Sequence, residues 1–529
     1  LFETLLFNAR VYTLDPQRPR ATALALRDGK ILAVGNDEEI LRLAGPRAQS
    51  LNLDGATLLP GLIDAHLHFE WYALSLQAVE VETTSLDDCL RRVAAKAGTT
   101  PKGHWIIGNG WNQNVWGSFP TARDLDSVAP EHPVFLTAKS GHAAWANSLA
   151  LKLSGINSST ADPTGSAIQR DERGEPTGIF FEDAVRLVGD VVPEKTPDEL
   201  ATAMLPAMEN AWRAGLTGIH DFDGTRSFSA FQILKASRQL GLRVTKQIPV
   251  KHLEEAIGAG WHSGFGDDWL RIGNVKVFLD GALGPRTASM IEPYEGEPGN
   301  YGISVTDKEE LYEHATQASA HGLALTVHAI GDKANHALLE VYETLRAEEN
   351  VRGQSALRHR CEHVQLLHPQ DFNRLGQLNL IASMQPIHAT SDMLIADKYW
   401  GKRSAGAYAW RAQLDAGAAL ALGSDCPVES FNPFGGIHAA VTRRRADGSP
   451  GHAGWHPEQR LTVEEAVRGF TLGAAYAGYM ENKIGSLAPG KLADLVVVDR
   501  DIFTCDPMTI KDTQVLGTMV GGEWKYRET

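Results

Sequence analysis

The chain has 529 residues, 43% of them hydrophobic and 22% charged, the balance of an ordinary globular protein too long for a single core. Its net charge of −15 argues against nucleic acid or an anionic membrane as the main partner, and no apolar run approaches the ~20 residues that span a bilayer. Cys89, Cys361, Cys426 and Cys505 lie without C-x-x-C spacing, which excludes a disulfide framework and fits a reducing compartment, the cytoplasm.

The N-terminus reads as short strands. Leu5 to Leu14 alternates apolar and polar residues, and Asp28-Gly29 separates the apolar runs Ala21 to Leu26 and Lys30 to Gly35, a hairpin signal. The apolar run Gly61 to Ala65 then ends in His66-Leu67-His68. Further strand candidates follow at Thr217 to Asp221, Arg243 to Ile248, Asn274 to Leu279, Ala324 to His328, Arg360 to Val364, Leu380 to Gln385 and Ala419 to Ser424. With Leu62 to His66 they make eight, separated by helical stretches, as in a (β/α)8 TIM barrel whose site lies at the strand C-terminal ends. The first gap is too long for one helix, so residues 70–200 form an insertion after the first strand. It carries Trp105, Trp111, Trp116, His142 and Trp145, and turns such as Asp162-Pro163-Thr164-Gly165. It is either a lid or an inert elaboration, and long insertions on an active face are usually functional. The C-terminus returns to strands at Ala493 to Asp499 and at Thr518 to Lys525, the latter turning at Gly521-Gly522. The chain class is therefore α/β. Residues 1–58 and 480–529 are expected to build a small β-sandwich domain, and residues 59–479 the barrel with its insertion.

On a strand, residues i and i+2 face the same way. His66 and His68 can therefore aim at one cation, although a bare H-x-H is also compatible with a solvated strand end. Later strand ends offer further donors: Lys276 and Asp280, His328, Glu362 and His363, and Asp425. Their coincidence at the proper strands is the strong signal.

These motifs resemble the amidohydrolase superfamily, and within it the YtcJ-like branch that includes N-substituted formamide deformylase. The likeness runs through P-G-L-I-D-A-H-L-H, K-V-F-L-D-G-A-L-G-P-R-T-A (Lys276 to Ala288) and V-H-A-I-G-D-K-A (Val327 to Ala334). It continues through C-E-H (Cys361 to His363), M-Q-P-I-H-A-T-S-D (Met384 to Asp392), L-G-S-D-C-P-V-E (Leu422 to Glu429) and the closing Ile484 to Asp499. The resemblance implies one or two divalent metal ions, zinc foremost. It implies that His66 and His68 bind the more buried ion with Asp425, and that His328 and His363 bind a second. It further implies that Lys276 is carboxylated on its side-chain nitrogen and bridges the two. A lysine ammonium cannot ligate a cation, but burial beside cations favours the neutral amine that could react; the alternative is a buried lysine in an ion pair. His220-Asp221 has no metal role in the family pattern and reads as structural.

The implied activity is hydrolysis of an amide-like C–N bond of a small molecule, N-substituted formamides among them, by a metal-activated hydroxide. Asp425 is the expected general base and then acid. His388, His142 and Arg286 are candidates to steady an oxyanion, His388 being equally a loop histidine bonded to backbone, and Trp111 is either an apolar wall or ordinary packing within the insertion. Arg286 could instead pair with Glu292 or Glu295. Two other readings stand beside this one: a hydrolase or deaminase of a cyclic amide, dipeptide or lactone on the same barrel, and a non-catalytic ligand-binding barrel. A homo-oligomer formed through the β-domain is compatible with each.

Overall fold

A computed structural model describes residues 3–43, 48–139, 142–163, 166–353 and 357–528. In the expected turn at Asp162 to Gly165, Thr164 and Gly165 lie outside the described residues. The chain divides into two compact units, Leu1–Tyr72 with Leu200–Thr529, and Ala73–Glu199.

In the larger unit eight strands lie side by side in chain order: Leu62–Leu67, Leu216–Asp221, Arg243–Pro249, Leu270–Phe278, Leu325–Ala329, Arg360–His363, Ile381–Met384 and Ala419–Leu422. Every neighbouring pair is parallel. The strands are buried almost throughout, which is why they read as apolar runs rather than as alternating ones. Helices such as Thr225–Ala236, Lys308–Ala320, Asp332–Val351 and Pro386–Trp400 connect them. This is the expected (β/α)8 barrel. Its ends meet where Leu67 bridges Cys426 in parallel, the Asp425 N–H donates to the His66 carbonyl at 2.7 Å, and the His68 N–H donates to the Cys426 carbonyl at 2.7 Å. Gly423 permits that approach, because a Cβ there would sit 2.6 Å from both Asp64 Oδ1 and the His66 nitrogen.

Both termini add β-structure to the same unit. One sheet holds Glu3–Phe7, Ala23–Arg27, Lys30–Gly35 and Gln49–Asn52; the other holds Arg10–Tyr12, Thr57–Pro60, Leu495–Val498, Val515–Val520 and Glu523–Arg527 among its six strands. Leu6, Leu24, Leu26 and Ile31 of the first share a core with Val11, Leu58, Leu495, Val497 and Met519 of the second, so the two face each other as a sandwich. Asp28-Gly29 and Gly521-Gly522 turn the two hairpins, all four residues with positive φ, as type I′ turns require. The alternating stretch Leu5 to Leu14 is divided at Asn8, whose φ is +55°, between the short strands Glu3–Phe7 and Arg10–Tyr12. A buried ion pair between Arg243 of the third barrel strand and Asp494, with Nη2 2.7 Å from Oδ1, ties sandwich to barrel.

The smaller unit has its own six-stranded sheet, with Ile106–Trp111, Val134–Ala138, Ala143–Ala146 and Pro176–Phe181 at its centre. Cys89 and Val93 of the helix Leu86–Thr99 pack on it with Ile106, Trp111, Leu125, Leu136, Trp145 and Ile179. The insertion is thus a body with a core of its own.

Among the described residues no helix is long and apolar enough to cross a membrane.

Candidate metal centre

Histidines from four barrel strands or the segments just after them converge at the C-terminal end. The His66 and His363 ring centroids lie 4.8 Å apart, His328 and His363 4.6 Å, His66 and His68 5.8 Å, and His363 and His388 6.3 Å. Asp425, just beyond the eighth strand, enters among them. Its Oδ1 is 3.5 Å from His66 Nε2 and 3.6 Å from His68 Nε2, and its Oδ2 is 3.2 Å from His388 Nε2. His66, His68 and Asp425 bring three donor atoms within reach of one cation, and His363, His388 and Asp425 form a second such group.

The chemistry of these donors fits a metal. A ligating imidazole needs a lone pair on one nitrogen and a hydrogen-bond partner on the other. His66 Nδ1 lies 2.6 Å from Glu362 Oε2, His68 Nδ1 3.1 Å from Asp223 Oδ1, and His363 Nδ1 2.9 Å from Gln385 Oε1. Each acceptor leaves Nε2 as the free ligand atom. His328 is reversed: its Nε2 donates to the Gly281 carbonyl at 2.9 Å, which leaves Nδ1. Burial, and for His328 the nearby Lys276 amine, holds His66 down at about 4 and His328 at about 3 despite the carboxylates near them. Both rings are thus neutral in ordinary buffers, as ligands must be. Burial alone would raise the Asp425 carboxyl, but the hydrogen bond from His388 and the charges of the neighbouring imidazoles outweigh it and hold it well below the usual range. Asp425 is therefore a carboxylate. Burial opposes a proton on His388, yet Asp425 outweighs that and raises it.

Backbone geometry puts the donors there. His363 has φ +73° and Asp425 φ +63°, a conformation that costs a non-glycine residue of order 1–3 kcal/mol and collects at functional sites. At His363 it breaks the strand alternation, so that Glu362 and His363 both reach the site.

Lys276, on the fourth strand, is buried. Its Nζ lies 4.8 and 4.5 Å from the Phe222 and Phe278 ring centroids, and no carboxylate among the described residues is within ion-pair distance. Burial lowers its amine to about 8. Of the expected substrate contacts, His388 stands in the site. Arg286 pairs with Glu297, its Nε 2.7 Å from Oε1, rather than with Glu292 or Glu295, and stacks over Tyr399. Trp111 is fully buried in the core of the insertion and donates its Nε1–H to the Leu136 carbonyl. A ring so enclosed offers no wall to a substrate, and that expectation is withdrawn. His142 is exposed on the insertion, 3.0 Å from Glu182.

The sequence pattern of the Amidohydrolase family matches residues 49–526. The chain belongs to this family. It is 36% identical to Protein LONG AFTER FAR-RED 3 of Arabidopsis thaliana, over 99% of this chain and 91% of that one. It is 30% identical to the putative amidohydrolase YtcJ of Bacillus subtilis, covering 98% of each. It is also 29% identical to the N-substituted formamide deformylase of Arthrobacter pascens, over 100% of this chain and 99% of that one. Among solved structures, an uncharacterized metal-dependent hydrolase from Pyrococcus furiosus superposes with a TM-score of 0.81 at 28% identity, over 95% of this chain and all of the other. The likeness to the YtcJ and deformylase branch of the amidohydrolases, expected from the motifs, holds over nearly the whole chain. So does kinship with metal-dependent hydrolases.

Asp223 and Arg360 did not emerge as site residues from sequence, and Glu362 did so only as one strand-end donor beside His363. The signal for Glu362 and Arg360 was present: a barrel strand reading Arg-Cys-Glu-His carries two opposite charges two residues apart, on one face.

Proposed function

We propose that this protein is a metal-dependent hydrolase of amide-like C–N bonds in small molecules, N-substituted formamides among its substrates. The observation that carries the reading is the convergence of two imidazoles and a carboxylate on one point, each imidazole with its Nδ1 on an outer carboxylate and its Nε2 turned inward. His66, His68 and Asp425 would hold one divalent ion, zinc being suited to such ligands. His328 and His363, and a Lys276 carbamate, would hold another. The chemistry such ions supply when bound is Lewis acidity toward oxygen.

Asp425 accepts a proton from the attacking water and returns it to the departing nitrogen. His388, protonated beside Asp425, steadies the carbonyl oxygen as it gains charge. Lys276 is suited to carbamate formation because its buried amine releases its proton near pH 8. The neutral nitrogen then attacks the carbon of carbon dioxide and gives up a proton to solvent. Free cysteines, three of the four buried, support a reducing compartment.

The test is the purified protein with its metal content measured, assayed on N-alkyl formamides, cyclic amides, dipeptides and lactones. Formate release from the formamides that disappears on rigorous metal removal is expected. Turnover of lactones alone, or full turnover without metal, would refute the reading.

A further inference from the structure

The two histidines of the H-x-H motif are each backed by a carboxylate from elsewhere in the barrel. Glu362 Oε2 is 2.6 Å from His66 Nδ1, and Asp223 Oδ1 is 3.1 Å from His68 Nδ1. Neither carboxylate belongs to the converging donor groups; each instead turns an oxygen to the outer ring nitrogen of a histidine that does. Each has its second oxygen occupied. Glu362 Oε1 lies 2.7 Å from Arg360 Nε and accepts from the Thr326 hydroxyl, while Asp223 Oδ2 accepts the Glu70 N–H at 2.6 Å.

Arg360 is itself fully enclosed. It donates through Nη1 to His220 Nδ1 at 2.8 Å and through Nη2 to the Ala65 carbonyl at 2.7 Å and the Ser383 hydroxyl at 2.8 Å. One guanidinium thereby joins the first, second, sixth and seventh barrel strands beneath the site. A buried guanidinium needs an anion beside it, and Glu362 supplies that anion. An ionised carboxylate can only accept. The hydrogen between Glu362 and His66 must then sit on Nδ1, and the Nε2 lone pair must face Asp425. At His68 the contact alone sets the orientation: Asp223 Oδ1 lies 3.1 Å from Nδ1, which leaves Nε2 facing Asp425.

We propose that Glu362, fixed by Arg360, and Asp223 are positioning residues that set the tautomer and the ring orientation of His66 and His68 for metal binding. His220, read from sequence as structural, belongs to this support as the acceptor of Arg360. The inference rests on the metal-site reading of His66, His68 and Asp425. Loss of such an outer carboxylate weakens metal binding by about 10- to 100-fold.

Asp223→Asn and Glu362→Gln preserve shape and remove the charge. In each variant, and in His66→Ala, zinc affinity is measured by competition with a chromophoric chelator, and the visible absorption of the cobalt-loaded protein is recorded. The expected result is zinc binding about 10- to 100-fold weaker in Asp223→Asn and Glu362→Gln, with a shifted cobalt band in each, since ligand basicity and orientation change. Should Glu362→Gln not fold, Asp223→Asn, whose side chain is partly exposed, decides alone. Unchanged affinity and an unchanged cobalt spectrum in the carboxylate variants, with zinc lost in His66→Ala, would overturn the positioning role and leave the metal site standing. Unchanged zinc binding in all three, His66→Ala included, would overturn both.

Discussion

Asp425→Asn is the substitution that separates chemistry from fold at this site. Asp425 has φ +63°, a region that asparagine enters more readily than other non-glycine residues. The hydrogen bonds that close the barrel there run from the Asp425 and His68 N–H groups to the carbonyls of His66 and Cys426, and they do not involve the side chain. The amide can still accept from His388, 3.2 Å away, but it can neither take a proton nor balance the imidazoles of His66, His68 and His388. Removing a general acid–base costs about 10²- to 10⁴-fold, or roughly 3–5.5 kcal/mol in the barrier. Formate release from N-alkyl formamides should therefore fall at least about 100-fold, while the melting temperature moves little. Asp425→Ala should lose as much activity and also stability, because an alanine in the left-handed region costs roughly 1–2 kcal/mol. The assays are steady-state kinetics with metal content measured on the same samples, and thermal melts of both variants. If Asp425→Asn keeps kcat within tenfold of the parent, Asp425 is not the proton carrier.

Three further outcomes follow from packing and charge. Gly423→Ala forces a methyl to 2.6 Å from Asp64 Oδ1 and the His66 nitrogen; overpacking of this kind costs about 1–3 kcal/mol, so it should lower both the melting temperature and zinc affinity, and a variant matching the parent in both would refute the tight closure. Trp145→Ala empties a site packed against Trp111 and Trp116 and should cost about 3–5 kcal/mol, read as proteolytic cleavage concentrated in residues 73–199; an unchanged digestion pattern would contradict an independent core there. Burial, aided by Lys511 and Arg444, holds His438 down at about 4, against 6.5 when exposed. The unfolded chain then binds a proton that the folded chain refuses, so this contribution is intact above about pH 6.5 and is lost as the pH falls toward 4. The melting temperature of His438→Gln should accordingly drop less than the parent's between pH 7 and pH 4.5, and equal drops would remove His438 from the acid response.

The barrel was legible because its strands are buried on both faces and leave a plain apolar run, several of them ending in a group too polar for its surroundings. His66, His328, His363 and Asp425 were found that way. The sandwich was legible through two turns that need positive φ and carry Asp-Gly and Gly-Gly. What stayed hidden depends on departures from the regular repeat. Period-two reasoning puts Glu362 and His363 on opposite faces of their strand, and only the +73° φ at His363 brings both to the same centre. Asp223 lies past the end of the second strand, where no periodicity applies, and its place is set by hydrogen bonds to His68 and the Glu70 N–H. Trp111 failed in the opposite sense. An indole in a Gly-Asn-Gly-Trp-Asn stretch can wall a pocket or pack within the insertion, and the strand Ile106–Trp111 carries it into the insertion's core. Candidate ligands at strand ends are thus announced by their chemistry. The groups that hold those ligands in place are announced only by a charge that has no business inside a barrel, and Arg360 beneath the H-x-H pair is that charge.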